Sequence, residues 1–322
     1  MKLVHSMVCA GIATLALFSP ANAQTAFPQR TVKFIIPFGP GSGADIGARL
    51  ISDKLATRWG RPVVVENRPG ADGLTAVNAF LGSNDDHVMI FAGTGSFTTH
   101  PYTREKLNYD MERDMLPIAR YSATVMTLAV NTSMGVNSAR DLVERAKSAP
   151  GTLNSAVPQG ISELFFDGFI KSASLEIPKV PYRDIVQAPA DLAEGRLNVM
   201  FASYAGLAPA VQGGKVKLLV QGGRQRAPML PDIPTAAEAG FPALELEGLV
   251  GLFGQKSLSL DLRKRLGADV MAVMADPMVP ERLAATGQVA QPGGPEEFAA
   301  SIKRQVEQVA EAARVLGLKK LN

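Results

Sequence analysis

The residues best placed to do chemistry lie in two glycine-rich loops. Pro37-Phe38-Gly39-Pro40-Gly41-Ser42-Gly43-Ala44-Asp45 joins an apolar, β-branched run to a segment of helical periodicity. Its glycines permit a tight turn and let a guest approach the backbone closely. The helix that follows offers unpaired N–H groups and the positive end of its dipole, an arrangement suited to an anion. No Gly-Lys-Ser/Thr ends the loop, so it is not a nucleotide-phosphate loop, and Ile46 stands where a dinucleotide fingerprint needs its third glycine. The competing reading is a plain strand-to-helix turn with Asp45 as a first-turn acid. The second loop, Ala92-Gly93-Thr94-Gly95-Ser96, follows another strand-like run. In a parallel sheet, loops at the carboxyl ends of strands share one edge, and ligands bind there.

Catalytic constellations are poorly supplied. Of three histidines, His5 lies in the leader described below, and His87 follows the acidic turn Asn84-Asp85-Asp86 and reads as a surface residue. His100 lies just past the second loop, where it could edge a pocket, but no ligand at metal spacing accompanies it. Ser96 lacks the Gly-x-Ser-x-Gly setting of a nucleophile elbow. The acids Asp85-Asp86, Glu296-Glu297 and Glu245/Glu247 read as solvated turns or faces, and Trp59 as packing at a helix end. No catalytic residue, metal or cofactor is expected, and the chemistry points to binding.

The scaffold that must position these loops is legible as an alternation of short strands and helices. Strands are expected at 32–36, 62–66 and 88–91, with helices at 44–59 and 74–81 between them. The rhythm continues with a strand at 127–130, a helix at 138–149 and strands at 179–182, 198–201 and 217–220. After the proline-rich stretch 228–242, a strand at 246–253 leads into helices at 261–274, 279–286 and 295–316. The last carries Phe298, Ile302, Val306 and Val309 on one face and should dock onto a lobe. Alternation of this kind implies α/β architecture with helices on both faces of parallel sheets.

Met1-Lys2, the apolar run Val8–Phe18 and the small-residue site Ala21-Asn22-Ala23 form an export signal, with cleavage expected after Ala23. The run is too short to cross a bilayer, which takes roughly 20 residues. Cys9, the single cysteine, falls within the leader, so the mature chain has neither disulfides nor thiolate sites and relies on an ordinary core. A formal charge of +3 with both signs interleaved excludes a nucleic-acid footprint. The expectation is a periplasmic protein that is not membrane-embedded.

Taken together, Phe34-Ile35-Ile36-Pro37-Phe38 with its loop and Asp45, Pro62–Ala71, Leu107-Asn108-Tyr109-Asp110, Ala146–Gly151, Val180-Pro181-Tyr182 and Leu230–Thr235 with Glu238-Ala239-Gly240 give a specific ordered set. The set resembles the Bug family, periplasmic solute-binding proteins of tripartite tricarboxylate transporters, along nearly the whole mature chain. That resemblance implies a type II periplasmic-binding-protein fold: two doubly wound lobes with a ligand cleft between them. Lobe 1 would be 24–122 plus 246–322 and lobe 2 would be 123–245, with crossings near Ser122 and Glu245. It implies a small carboxylate ligand held by backbone N–H groups and water at Phe38, Gly39, Pro40, Gly41, Ser42 and Ala44, with Asp45 beside them. Gly93, Thr94, Gly95 and Ser96 would add the second loop, faced by Ser162, Tyr182, Phe201 and Ser203 from lobe 2. Departures from the family's usual pattern fall at Ala44, Glu163, Asp184 and Leu249, where they bear on ligand preference.

A monomeric receptor that passes its ligand to transporter membrane subunits is therefore expected. The alternatives are a periplasmic enzyme on a similar scaffold and an orphan receptor feeding a sensor kinase. Intact-mass measurement of the exported protein should give a chain beginning at Gln24 without lipid; acylation or retention of residues 1–23 would overturn the export reading.

Overall fold

The computed structural model describes residues 27–182 and 184–321; the expected leader, Arg183 and Asn322 lie outside the described residues. The chain opens with β1 (Val32–Ile36), α1 (Gly43–Trp59), β2 (Val63–Asn67), α2 (Leu74–Ser83), β3 (Val88–Gly93) and α3 (Gly95–Thr103). A short α4 (Met111–Asp114) leads into β4 (Leu116–Asn131). The middle of the chain forms α5 (Ala139–Ser148), β5 (Ser155–Ala156), α6 (Ile161–Ser172), α7 (Ala188–Ala193), β6 (Val199–Ser203), α8 (Tyr204–Gln212) and β7 (Val216–Gln221). It returns through β8 (Glu247–Gly254), α9 (Leu260–Met274), α10 (Met278–Ala284), β9 (Gln288–Gly293) and α11 (Pro295–Leu316).

The strands form one path with two halves, joined by β4. In the terminal half, β1 lies parallel to β2 and β3, while β8 runs antiparallel to both β3 and β4, and β9 antiparallel to β4. In the middle half, β6 and β7 run antiparallel to β4, and β5 lies parallel to β6. β4 changes partners along its length: Val125 still pairs with Glu247 of β8, whereas Met126 pairs with Ser203 of β6. Ser122 remains paired with Val250 and Ala290, so the change falls beyond the crossing expected near Ser122. The return is fixed where the Gly222 amide donates to Met126 O at 2.8 Å and the Leu246 amide donates to Gly222 O at 2.9 Å. Glu245 and Glu247, expected as solvated, are half-buried at this return.

Each half has apolar clusters of its own. Phe34, Phe91, Tyr121 and Leu266 pack together in the terminal half, as do Phe80, Phe97, Phe253 and Phe298. Leu128, Phe166, Phe169 and Phe201 form the largest cluster of the middle half. α11 joins the two. Phe298 and Ile302 enter the terminal core, whereas Val309 is buried among the phenylalanines of α6. The expected docking onto a single lobe is thus corrected: 22 residues make a rod of ~33 Å, long enough to span both halves.

Further expectations change for identifiable reasons. Only a single bridge, Ser155 to Lys179, forms where a strand was expected at 179–182. Pro178 and Pro181 remove ladder donors there. His87 is buried rather than exposed: its ring lies 4.5 Å from Phe27, Nε2 accepts from the Gln29 amide, and Nδ1 meets Asp86. Trp59 packs as expected and also donates to Asp269 at 2.8 Å.

Phe298 touches Phe253 at a centroid distance of 4.9 Å and is fully buried. Phe298→Ala should lower unfolding free energy by about 3–5 kcal/mol in urea titrations. A loss under about 1 kcal/mol would show that α11 is peripheral to the terminal core.

Candidate functional site

Asp45 organises the first loop instead of facing a guest. It is almost fully buried at the third position of α1. One carboxylate oxygen accepts from the Gly41 amide at 2.9 Å and the other from Asn67 Nδ2 at 2.9 Å. Arg49 Nε reaches both oxygens at 3.1 and 3.2 Å, and Asn67 Nδ2 also donates to Phe38 O at 2.9 Å. The loop is therefore tied at Phe38 and Gly41 through one acid and one amide. Gly41 adopts φ +82°, a left-handed conformation that glycine takes without strain. Ser42 Oγ caps the helix by accepting from the Asp45 amide at 3.2 Å. With that amide satisfied, helix geometry leaves the Gly43 and Ala44 amides of the first turn for an outside acceptor.

The second loop is the start of a helix, α3, that glycine content had concealed. Phe38 brings the two loops together: a Cβ on Gly93 would lie 3.6 Å from its ring. Thr94 does not reach a guest. It is fully buried, its amide donates to Leu249 O at 2.9 Å, and its hydroxyl donates to Gln305. Gly95 faces the middle half directly, since a Cβ there would come within 2.7 Å of Ile161 Cγ2. Ser96 Oγ donates to Asp72 Oδ1 at 2.7 Å. His100, fully buried, places Nε2 at 3.0 Å from Asp72 O and 3.3 Å from Asp72 Oδ2, with Nδ1 at 2.7 Å from Tyr109 Oη. Ser96 and His100 thus both turn to Asp72 and form no nucleophile–base pair.

The middle half contributes two helix starts. α6 begins after Gly160 and α8 after Ser203, and neither first turn receives a side-chain cap; nor does that of α3. Ser162 is buried in the first turn of α6, and Ser203 stands half-buried at the end of β6, its hydroxyl capping nothing. α8 lies against the terminal half, where a Cβ on Gly287 would come within 3.0 Å of Ala205. Gly43 of α1 meets the same turn, its Cβ position 3.1 Å from Thr286 O. The family resemblance places two further residues here. Phe201 is instead a fully buried core residue stacked 6.4 Å from Phe166. Tyr182 ties its hydroxyl to Asp191 at 2.5 Å, and burial together with that acid pushes its pKa up to about 12. Glu163 is ion-paired with Lys179 at 2.6 Å.

Four helix starts, α1 and α3 from the terminal half and α6 and α8 from the middle half, therefore border the space between the halves. Each end attracts an anion by only about 0.3–1 kcal/mol, so an anion site there needs several of them to converge. A hollow of ≈ 590 Å³ between α6 and α11 shares none of these loop residues. Glu245, Glu247, Glu307 and Glu311 line it beside Arg224 and Arg304, a balance that disfavours an anion.

A model described as the tripartite tricarboxylate transporter family receptor matches residues 47–317. The chain belongs to this family. The match begins just beyond the β1–α1 loop. A Pseudomonas sp. protein described as a UPF0065 protein in the tcbD-tcbE intergenic region is 30% identical over 306 residues, covering 93% of this chain and 91% of that one. Protein BugT of Bordetella pertussis is 24% identical over 314 residues, covering 96% and 95%. Among solved structures, an R. palustris protein with adipate superposes with a TM-score of 0.77 at 26% identity, covering 91% of this chain and 99% of that one. MatC from Rhodopseudomonas palustris with bound malate gives 0.73 at 26%, covering 90% and 99%. The Bug-type resemblance and the two-lobe α/β solute-binding fold are thus those of this receptor family.

Burial pushes the Asp45 pKa up, but the hydrogen bonds from Arg49, Gly41 and Asn67 outweigh it and hold the carboxyl below its usual range. A depressed folded-state pKa stabilises the protein above the unfolded value of about 3.9, and that contribution is lost as pH falls through the folded value. Asp45→Ala should cost on the order of 1–3 kcal/mol at pH 7 by leaving these donors unpaired. In denaturant titrations the penalty should shrink as pH drops below about 4; a penalty independent of pH would refute the ionised network.

Proposed function

We propose that the protein is a periplasmic receptor that captures a small carboxylate between its two halves and hands it to the membrane subunits of a tripartite transporter, performing no reaction on it. The observation that carries this reading is the set of helix starts around the cleft, three of them without side-chain caps. Backbone donors at such positions suit a carboxylate, and no lysine or arginine lies within either loop. The engagement of Ser96 and His100 with Asp72 supports binding over hydrolysis. Relatives of the same fold hold adipate and malate. No helix among the described residues is long and apolar enough to cross a membrane. In this reading the lobes are 24–125 with 247–322 and 126–246, turning about Val125–Met126 and Leu246–Glu247.

A thermal-shift screen of residues 24–322 against C3–C6 mono- and dicarboxylates tests it, followed by calorimetry. Ligand at about 100 times its dissociation constant should add roughly 2.7 kcal/mol of stability. If no acid in the panel binds more tightly than about 1 mM, a free energy near −4.1 kcal/mol, the carboxylate-receptor reading fails.

A further inference from the structure

Asp72 lies on the β2–α2 connection at the meeting point of both loops. Its neighbour Gly73 packs so that a Cβ there would sit 3.6 Å from Pro37 and 3.9 Å from Ser96. The backbone is turned to hold the acid here, with Ala71 at φ +50° and Asp72 at φ +54°, a left-handed conformation uncommon outside glycine that aspartate tolerates better than most. Across the cleft, Asp72 Oδ1 and Oδ2 lie 3.9 and 4.0 Å from the Cβ position of Gly160, the residue that starts α6. On its own side, Oδ1 accepts from Ser96 in the first turn of α3. A protein carboxylate therefore lies beside two of the helix starts that border the cleft.

Ser96 and His100 both engage the Asp72 carboxylate. His100 Nε2 lies 3.0 Å from the Asp72 carbonyl oxygen and 3.3 Å from Oδ2, and Nδ1 lies 2.7 Å from Tyr109 Oη. Burial pushes the Asp72 pKa up, yet hydrogen bonds from His100 and Ser96, together with the electrostatic pull of His100 and Arg104, hold it below the ordinary value. The side chain is 32% exposed, so it can meet a guest.

Resting on the carboxylate-receptor reading, we propose that Asp72 determines specificity: it occupies one anion position of the cleft, so the ligand carries a single carboxylate for the α1 end and a hydrogen-bond donor, hydroxyl or ammonium, for the α3–α6 end. A second carboxylate would face Asp72 as a like charge, whereas a donor would complete its acceptor capacity. The Gly43 and Ala44 amides remain for the ligand's own carboxylate.

Acids matched in length and differing only at the far end test this: succinate, 4-hydroxybutyrate and 4-aminobutyrate, with the three- and five-carbon equivalents. Calorimetry on residues 24–322 should show the hydroxy or amino acid of the best-fitting length binding at least tenfold more tightly than the diacid. Asp72→Asn, which keeps the shape and tolerates the positive φ, should reduce that ratio to threefold or less or invert it. Asp72→Gly, also compatible with φ +54°, serves if the asparagine variant fails to fold by circular dichroism. If acids bind but wild type takes the diacid as tightly, or the substitution lowers all affinities equally and leaves the ratio unchanged, Asp72 is structural and the inference falls alone. If no acid binds wild type, the receptor reading falls and takes this inference with it.

Discussion

β4 has hydrogen-bonding partners from both halves of the molecule. From Leu116 to Val125 it is held by β8, with β9 on its other side over part of that stretch, and from Met126 to Asn131 by β6 and β7. A strand paired on both edges cannot slip by one residue without exchanging the side chains on its two faces. Its later residues are buried without interruption, Leu128 and Val130 against one cluster and Ala129 against another. The two halves therefore share a backbone whose register is fixed. The positions of β1, β3, β5 and β6, and of the helices that start beyond them, follow from that shared strand. β4 exchanges partners at Val125–Met126, and the chain returns to the terminal half at Leu246–Glu247.

A site assembled in this way uses backbone more than side chains. Asp45 and Asn67 are engaged in holding the loop, and Ser42 in capping the helix, so the amides they leave unengaged are the ones that can meet a guest. Helix starts are individually weak, and their combined effect depends on both halves being present.

The sequence disclosed the scaffold better than the site. β1 and α11 have the limits that their periodicity indicates, because each carries an apolar face long enough to set its own period. α3 and α6 were hidden. α3 starts at Gly95 and contains Pro101, both poor helix formers, and its burial of Phe97 and His100 overrides that propensity. α6 follows a glycine at φ +92° and contains Gly168, which disguise it, although Glu163, Asp167 and Lys171 recur at helical spacing opposite its buried phenylalanines. Glycine content marks both loops as turns whose backbone can be approached closely. It did not reveal that Thr94 and Phe201 turn into the core, because strand and helix direction there is set by long-range packing. Asp72 went unnoticed for a related reason: an aspartate in a turn has an ordinary local explanation, and only the fold brings it opposite Gly160.

The contacts between the halves show why glycines matter beyond the loops. A methyl on Gly95 would meet Ile161 at 2.7 Å, and one on Gly287 would meet the Ala205 backbone at 2.9 Å. Real Cβ atoms do not sit at such distances, so either methyl would hold the halves apart. Gly287 has the further reason of φ +69°, and its carbonyl accepts from the Val125 amide at 3.1 Å, beside the point where β4 changes partners. The same residue therefore admits α8 to the terminal half and braces the bend. Gly95 does the equivalent at the opposite end, admitting the start of α6 to the start of α3. The close approach of the two halves thus rests on two residues that offer no chemistry of their own, and it brings the starts of α6 and α8 against the terminal half only because those two positions are left empty.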